Sequence, residues 1–520
     1  MKVPNTAVAT IAIVINGNLA LAFTVNTTTN KTVRSYSRQS KWHREIFTPC
    51  FSSIADVTNE ASPPSVDAAN ESIQSQNKSI SPGSDENKKF KCDSSVEFWR
   101  EFQRDKFADA SSNVREIVGV VTKNATGDGA SYWASHALRT GYFTGNAVLG
   151  VLGHQLHDAL IKRGEVKNAQ DSSSALSIIG SLNIDKATRL QLEAFLCYAD
   201  DWKAVQAGEI TFPWDAAVAN SGDNGNIGFA FQNHRQTNPI YAASQTIKVI
   251  SETIGIFSRR DSGKKPSVWL SDESAKALNY PKYYLNDFHY QTDGWLSSKS
   301  AGVYEASTET LFLGRQDAMQ RRTILPLSRK DDEPRDILEI ACGTGRFSTF
   351  VRDKFPEAKV TLVDLSPFYL EVARENDTYW RNHRGKAALE AVGSDMEEPL
   401  PATLVQANAE KLPFDNESFD AVTCVYLFHE LPTEARTNAA AEMARVLKPG
   451  GVISFTDSSQ IGDRPALDNE IGKFGNLNEP YYNGYIRSDL STLFENSGLE
   501  CNEKFVTSVS KTISFTKPMP

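Results

Sequence analysis

The spacing of apolar residues changes along this chain. Beyond residue 335 they come in short, dense runs: Ile337-Leu338-Glu339-Ile340, Val360-Thr361-Leu362-Val363, Ala421-Val422-Thr423-Cys424-Val425 and Val452-Ile453-Ser454-Phe455. Runs of this length bounded by polar or glycine-rich segments predict strands buried on both faces of a parallel sheet. Two further runs, Glu503-Lys-Phe-Val-Thr-Ser-Val and Lys511-Thr-Ile-Ser-Phe, close the chain. Upstream, helical spacing marks Val96–Phe107, Ala187–Ala204 and Tyr241–Phe257, and a long helix is expected from about Ser297 to Arg322. The pattern predicts an α/β second half behind a mainly helical first half.

Candidate chemistry gathers where the first of these strands ends. The strand Asp336–Ile340 runs into Ala341-Cys342-Gly343-Thr344-Gly345, and a helix pattern follows at once. About twenty residues past that turn, as nucleotide-binding crevices require, the second strand ends on Asp364. Glycines allow a tight turn and close approach of backbone to a ligand. A helix start offers unpaired N–H groups, and a carboxylate at the strand tip can accept from two ribose hydroxyls. A dinucleotide fingerprint would want a third glycine where Ser348 stands. A nucleoside crevice is therefore predicted at the carboxyl ends of parallel strands.

Five segments in order carry a family resemblance: Glu339-Ile-Ala-Cys-Gly343-Thr-Gly345; Asp364; Gln406-Ala-Asn408-Ala-Glu410-Lys-Leu-Pro413-Phe414; Ser418-Phe-Asp420 through His429-Glu430-Leu-Pro432; and Arg445-Val-Leu-Lys448-Pro449-Gly450-Gly451. Together they resemble the class I S-adenosylmethionine-dependent methyltransferases, in particular the group that includes quinone-biosynthesis C-methyltransferases. The resemblance implies a Rossmann-like sheet ending in a strand pair, one strand antiparallel. It implies S-adenosylmethionine as cofactor, held by Glu339, Ala341, Gly343 and Gly345 at the methionine end, Asp364 at the ribose, and Leu365, Asn408 and Ala409 around adenine. Ala341 stands where the family usually has glycine, and Asn408 where it often has aspartate. A catalytically silent cofactor-binding protein, acting in assembly or regulation, is the alternative these departures support.

Methyl transfer is an in-line displacement from a good leaving group, so alignment and water exclusion come first. A general base is needed only for an acceptor that starts protonated. His429 is the candidate, with Glu430 to orient or pair with it. The expected partner is a small-molecule methyl acceptor: a quinone, phenol or lipid-derived compound. The Tyr280-Pro281-Lys282-Tyr283-Tyr284 and His289-to-Trp295 segments resemble the part that closes over cofactor and acceptor in this family. Tyr481, Tyr482 and Tyr485 suit either an aromatic acceptor or the packing of a lid.

A net charge of −9 gives no reason to expect nucleic acid as partner. The 6 cysteines form no C-x-x-C pair, and no metal site is indicated. His154 and His157 could share a helix face, yet no third ligand cluster joins them. At the front, Lys2 precedes the apolar run Ala7–Ile15, and Ala20-Leu21-Ala22 offers a cleavage pattern. The run is too short for a membrane span, so no transmembrane anchor is expected in the mature protein. Residues from Phe23 to Arg44 contain no acid and are rich in Ser, Thr, Lys and Arg. This resembles the bipartite plastid presequence of algae with secondary plastids, with secretion or a mitochondrial address as alternatives. The expected division is a signal peptide over 1–22, a transit-like segment over 23–50 and a disordered linker over 51–92. A helical domain over 93–279 and the methyltransferase domain over 280–520 complete it.

Overall fold

The computed structural model describes residues 8–15, 19–26, 90–102, 109–162, 184–215, 239–261, 280–286, 289, 291, 294–330 and 332–520. Strands β1 (Val8–Ile15) and β2 (Leu19–Asn26) pair antiparallel. The rest of the expected presequence and most of the expected linker lie outside the described residues, as do the side chains of His154 and His157. No described helix is long and apolar enough to cross a membrane.

The second half is built on one mixed sheet. Its strands are β3 (Lys91–Cys92), β4 (Asp336–Ile340), β5 (Lys359–Asp364), β6 (Thr403–Gln406), β7 (Phe419–Val425), β8 (Leu447–Ser458), β9 (Glu500–Thr507) and β10 (Ser510–Thr516), in the order β3-β9-β10-β8-β7-β4-β5-β6. β4 to β8 are parallel; β10 runs antiparallel between β8 and β9. This is the Rossmann-like sheet with a terminal antiparallel strand that the resemblance implied. Ile337, Leu338, Ile340, Val422 and Cys424 are fully buried, which explains their continuous apolar runs. Chain order reverses direction between β4 and β7, and the crevice opens at the carboxyl ends of these strands, where open α/β sheets bind ligands.

Helix α1 (Ser94–Glu101) starts on Asp93, whose side chain caps Ser95 N–H. It is followed by α2 (Ala110–Asn124), α3 (Asp128–Lys162), α4 (Ile184–Gln206) and α5 (Pro239–Asp261). The expected helix over 297–322 is instead broken into α6 (Ser298–Leu311) and α7 (Gln316–Arg321). Leu313 and Gly314 take φ of 53° and 85°, a left-handed turn that ends one helix and re-aims the next. The helical first half also shares a core with the sheet: Trp99, Ile117, Trp133, Phe195 and Tyr198 pack in one cluster with Met319 and with Val506 of β9. Lys91 and Cys92, placed by the sequence in the linker, form the edge strand beside β9.

Candidate active site

The turn after β4 is held by its own second strand. Cys342 N–H donates to Val363 O at 2.9 Å, and Gly343 N–H donates to Asp364 Oδ2 at 2.8 Å. Asp364 Oδ1 accepts from Ser366 N–H, also at 2.8 Å. Burial pushes the Asp364 carboxyl up to about 6, although the Ser366 and Gly343 N–H groups hold it down. A carboxylate has more lone pairs than these two bonds use. Helix α8 (Arg346–Lys354) springs from Gly345, and α9 (Pro367–Trp380) from Ser366, whose hydroxyl accepts from Tyr369 N–H.

The two glycines do different work. A Cβ on Gly343 would meet nothing nearer than a Tyr369 ring carbon at 4.0 Å, so it would project into the crevice. A Cβ on Gly345 would stand 3.0 Å from the Ala373 Cβ and 3.1 Å from its Cα. Gly343 leaves room for a ligand; Gly345 lets α8 and α9 touch and lies behind the crevice wall. Ala341 also takes a left-handed φ of 55°, a conformation in which a Cβ is strained.

Two adjoining spaces meet at Ala341 and Gly343. The smaller, of about 510 Å³, is lined by Glu339, Thr344, Arg346, Tyr304, Gln316 and Tyr426 among others. The larger, of about 800 Å³, has Asp364, Leu365, Asn408 and Ala409 on one side. Tyr283, Tyr284, Trp295, Tyr304 and Tyr369 form an aromatic wall, and Glu430 closes the far end. Trp295, Tyr304 and Tyr369 meet edge to face, with centroids 5.4–5.9 Å apart. Asn408 Oδ1 accepts from Glu410 N–H at 3.0 Å, so its amide oxygen is already engaged once. Arg346, first residue of α8, pairs with Asp317 at 2.7 Å and with Asp215 from the helical half.

These residues fit S-adenosylmethionine. Glu339 is 2% exposed, its Oε2 has no hydrogen-bond partner, and burial raises its pKa far above the carboxylate range. A buried, unpartnered acceptor facing a space beside the glycine turn suits the methionine ammonium. Asp364 would take the ribose hydroxyls, and Leu365, Asn408 and Ala409 would border adenine. Seven of the expected cofactor residues thus share one crevice (Glu339, Ala341, Gly343, Asp364, Leu365, Asn408 and Ala409), and Gly345 supports it from behind.

On the acceptor side the structure separates two neighbours. Glu430 lines the crevice, whereas His429 is turned away beneath it. The His429 ring places Nδ1 2.6 Å from Asp457 Oδ1 and Nε2 3.5 Å from Glu430 Oε1. Burial alone would lower its pKa; Asp457 and then Glu430 overcome this and hold it well above the ordinary value. The pairing favours the protonated ring, which makes it a poorer proton acceptor than a free imidazole. Burial would raise the Glu430 pKa, but His289 and His429 hold it well below the usual carboxylate range. Tyr482 and Tyr485 are buried core residues, and Tyr485 donates to Ser458 O. Their packing alternative is the one observed. Asp457 and Glu479, not singled out by sequence as site residues, complete the surroundings with His289, which opens a segment expected to close over cofactor and acceptor. Tyr283, Tyr284 and Trp295, by contrast, line the crevice.

Comparison with known proteins agrees with this geometry. Residues 338–455 match the family described as "Methyltransferase domain". The demethylmenaquinone methyltransferase of Deinococcus radiodurans is 33% identical over 118 residues, 23% of this chain and 41% of that protein. A ubiquinone/menaquinone biosynthesis C-methyltransferase of Rhizobium etli is 28% identical over 186 residues, 34% of this chain and 65% of that protein. A tRNA N(3)-methylcytidine methyltransferase of Schizosaccharomyces pombe is 24% identical over 186 residues, covering 35% and 52%. The chain therefore spans less than two thirds of the length of each of these relatives. Among solved structures, an N-methyltransferase of Bradyrhizobium japonicum aligns over 38% of this chain and 95% of its own, at 16% identity and a TM-score of 0.28. Residues 338–455 thus match a methyltransferase domain, and the crevice they help to form fits S-adenosylmethionine.

Proposed function

We propose that this protein transfers the methyl group of S-adenosylmethionine to a small aromatic molecule, a phenol or quinol, bound in the crevice. One observation carries the reading: a single crevice is lined by the Gly343–Asp364 turn, by an aromatic wall and by Glu430. The cofactor supplies an electrophilic methyl on a sulfonium. The chain's own part is to align and to exclude water. Tyr283, Tyr284 and Trp295 cover the crevice, and their faces suit a flat acceptor. Glu430 is the ionised group facing the acceptor and can hold its hydroxyl by accepting a hydrogen bond. His429, fixed by Asp457, keeps that carboxylate in place.

The test is transfer of labelled methyl from S-adenosylmethionine to a panel: an isoprenoid naphthoquinol, a benzoquinol, a catechol, simple amines and transfer RNA. Label in a quinol or catechol product supports the reading. Label confined to amines or RNA, or cofactor binding without any transfer, overturns it. Residues 1–50 we assign to plastid import, on the apolar run, the cleavage pattern at Ala20–Ala22 and the acid-free stretch behind it. A fusion of this segment to a fluorescent protein in an alga with secondary plastids should light the plastid; secretion or mitochondrial signal would refute the address alone.

A further inference from the structure

A second group of ligating side chains stands at the acceptor end. His289, Glu430 and Glu479 each bring one ligand atom to within 4.8 Å of the others. His289 Nδ1 lies 2.7 Å from Glu479 Oε1, and its Nε2 lies 3.5 Å from Glu430 Oε1. Bonds of about 2.1 Å from one ion to nitrogen and oxygen ligands put neighbouring ligand atoms about 3 to 3.5 Å apart. The two short approaches use different ring nitrogens, so one nitrogen and one oxygen of each carboxylate, within 4.8 Å of one another, would have to close in around a shared ion.

Hydrogen bonding does not account for the cluster. His289 and Glu479 are close enough for an ion pair, yet neither Glu479 oxygen has a hydrogen bond of good geometry. The Glu479 side chain is 0% exposed, and Glu430 Oε2 is also buried without a partner. Buried carboxylate oxygens left in this way are costly unless a cation reaches them. His289 itself takes a left-handed φ of 53°, an unfavourable conformation for a non-glycine residue, and that conformation places its ring between the two carboxylates.

We propose that His289, Glu430 and Glu479 bind one divalent transition-metal ion beside the methyl-transfer crevice. One imidazole with two carboxylates is a mixed nitrogen–oxygen set suited to Zn²⁺, Mn²⁺ or Fe²⁺. An ion would displace the proton His289 shares with the two carboxylates, and two carboxylates with the ring then neutral match the charge of a dication. Three protein ligands leave positions open, and Glu430 belongs both to the cluster and to the crevice wall. An acceptor bearing a phenolic, catecholic or hydroxyquinone oxygen could occupy such a position. His429 touches Glu430 from behind and would hold its carboxylate toward the ion. The ion site stands on the side-chain cluster alone; only its role toward the acceptor rests on the methyl-transfer reading.

The experiment titrates the purified full chain with MnCl₂, ZnCl₂ and CoCl₂, reading stoichiometry by equilibrium dialysis and the Co²⁺ visible spectrum. Binding of one ion per chain is expected, weakened at least about 10–100-fold in His289→Ala and Glu479→Gln, the range lost even when a supporting partner is removed. S-adenosylmethionine binding by calorimetry should persist in both variants, showing that they are folded. No ion bound by the wild type, or equal affinity in folded variants, would overturn the site. So would tight binding of tetramethylammonium, weakened by Glu479→Gln, with no ion bound, which would make the cluster a cationic-substrate site. A chain that binds the ion but transfers no methyl group would leave the site standing and remove the reading of its role.

Discussion

Asp364 shows how a single residue couples pH to cofactor binding. Its folded pKa is about 6, raised by burial, so the crevice carboxylate is protonated in mildly acidic solution. Ribose hydroxyls donate to the ionised form and favour it. S-adenosylmethionine affinity, measured by calorimetry, should therefore fall as pH drops below about 6, by about tenfold per unit once the protonated form dominates. Asp364→Asn should bind weakly with no such slope; an unchanged slope would place the titrating group elsewhere. His429 and Glu430 separate by readout. His429 is raised above its unfolded value, so the stability from its pair with Asp457 is complete below pH 6.5 and fades as pH climbs through the raised folded pKa. Removing one partner of a buried pair costs about 3 kcal/mol. His429→Ala should thus lower unfolding stability by that amount and flatten its alkaline decline. Glu430→Gln should lower turnover about 10–100-fold, as for loss of a charged hydrogen-bond acceptor of the substrate's hydroxyl, with cofactor affinity little changed. The reverse pattern would make His429 the base. Sequence could name Glu339, Gly343 and Asp364 because their spacing is local. It could not name Glu479 or Asp457, which separate elements bring together and which have no spacing to read.

At the level of elements, the strands were legible and the break before them was not. β4, β5, β7 and β8 are covered on both faces, so apolar residues stand side by side in them without strict alternation, and the run itself is the signal. The segment 297–322 keeps helical spacing across its break, and a single glycine is a weak stop inside such a pattern. Tertiary contacts decide it. A Cβ on Gly314 would stand 3.2 Å from Arg139 and Phe143 side-chain carbons and 3.3 Å from the Tyr198 hydroxyl. Arg139 donates to Gly314 O at 3.0 Å and pairs with Glu309 and with Asp317, the residue that also braces Arg346. Gly314→Ala combines a left-handed φ with this crowding. It should destabilise the fold by about 2 kcal/mol, somewhat above the strain of the backbone alone. Because Asp317 supports Arg346 at the start of α8, cofactor affinity should weaken as well. Chemical denaturation and calorimetry read the two effects, and a variant with wild-type stability would show that the turn tolerates a side chain.

For the whole molecule, the question is whether the helical half can be removed. Composition suggested a boundary near residue 280, because the cofactor motifs all lie beyond it. The structure runs a core and a charge network across that line. Glu193 of α4 is 6% exposed and lies 2.8 Å from Arg464, which is 3% exposed; Arg315 and Ser508 stand beside the same carboxylate. Burial would raise the Glu193 pKa, but Arg464 and Arg315 hold it down to about 2. Asp201 of α4 pairs with Arg321, which is 2% exposed. Cutting the chain at 280 would strand Arg464, Arg315 and Arg321 without their carboxylates and bare Met319 and Val506. An uncompensated buried charge costs about 3–5 kcal/mol, so the loss of two such pairs would exhaust the stability of an ordinary domain. A protein starting at residue 90 should keep β3 on the sheet edge, unfold cooperatively and bind S-adenosylmethionine like the full chain. One starting at 280 should be insoluble or molten, with lost near-ultraviolet dichroism and no cofactor binding. If residues 280–520 instead gave a soluble monomer with a sharp unfolding transition and intact binding, the helical half would be an appendage and not part of the fold.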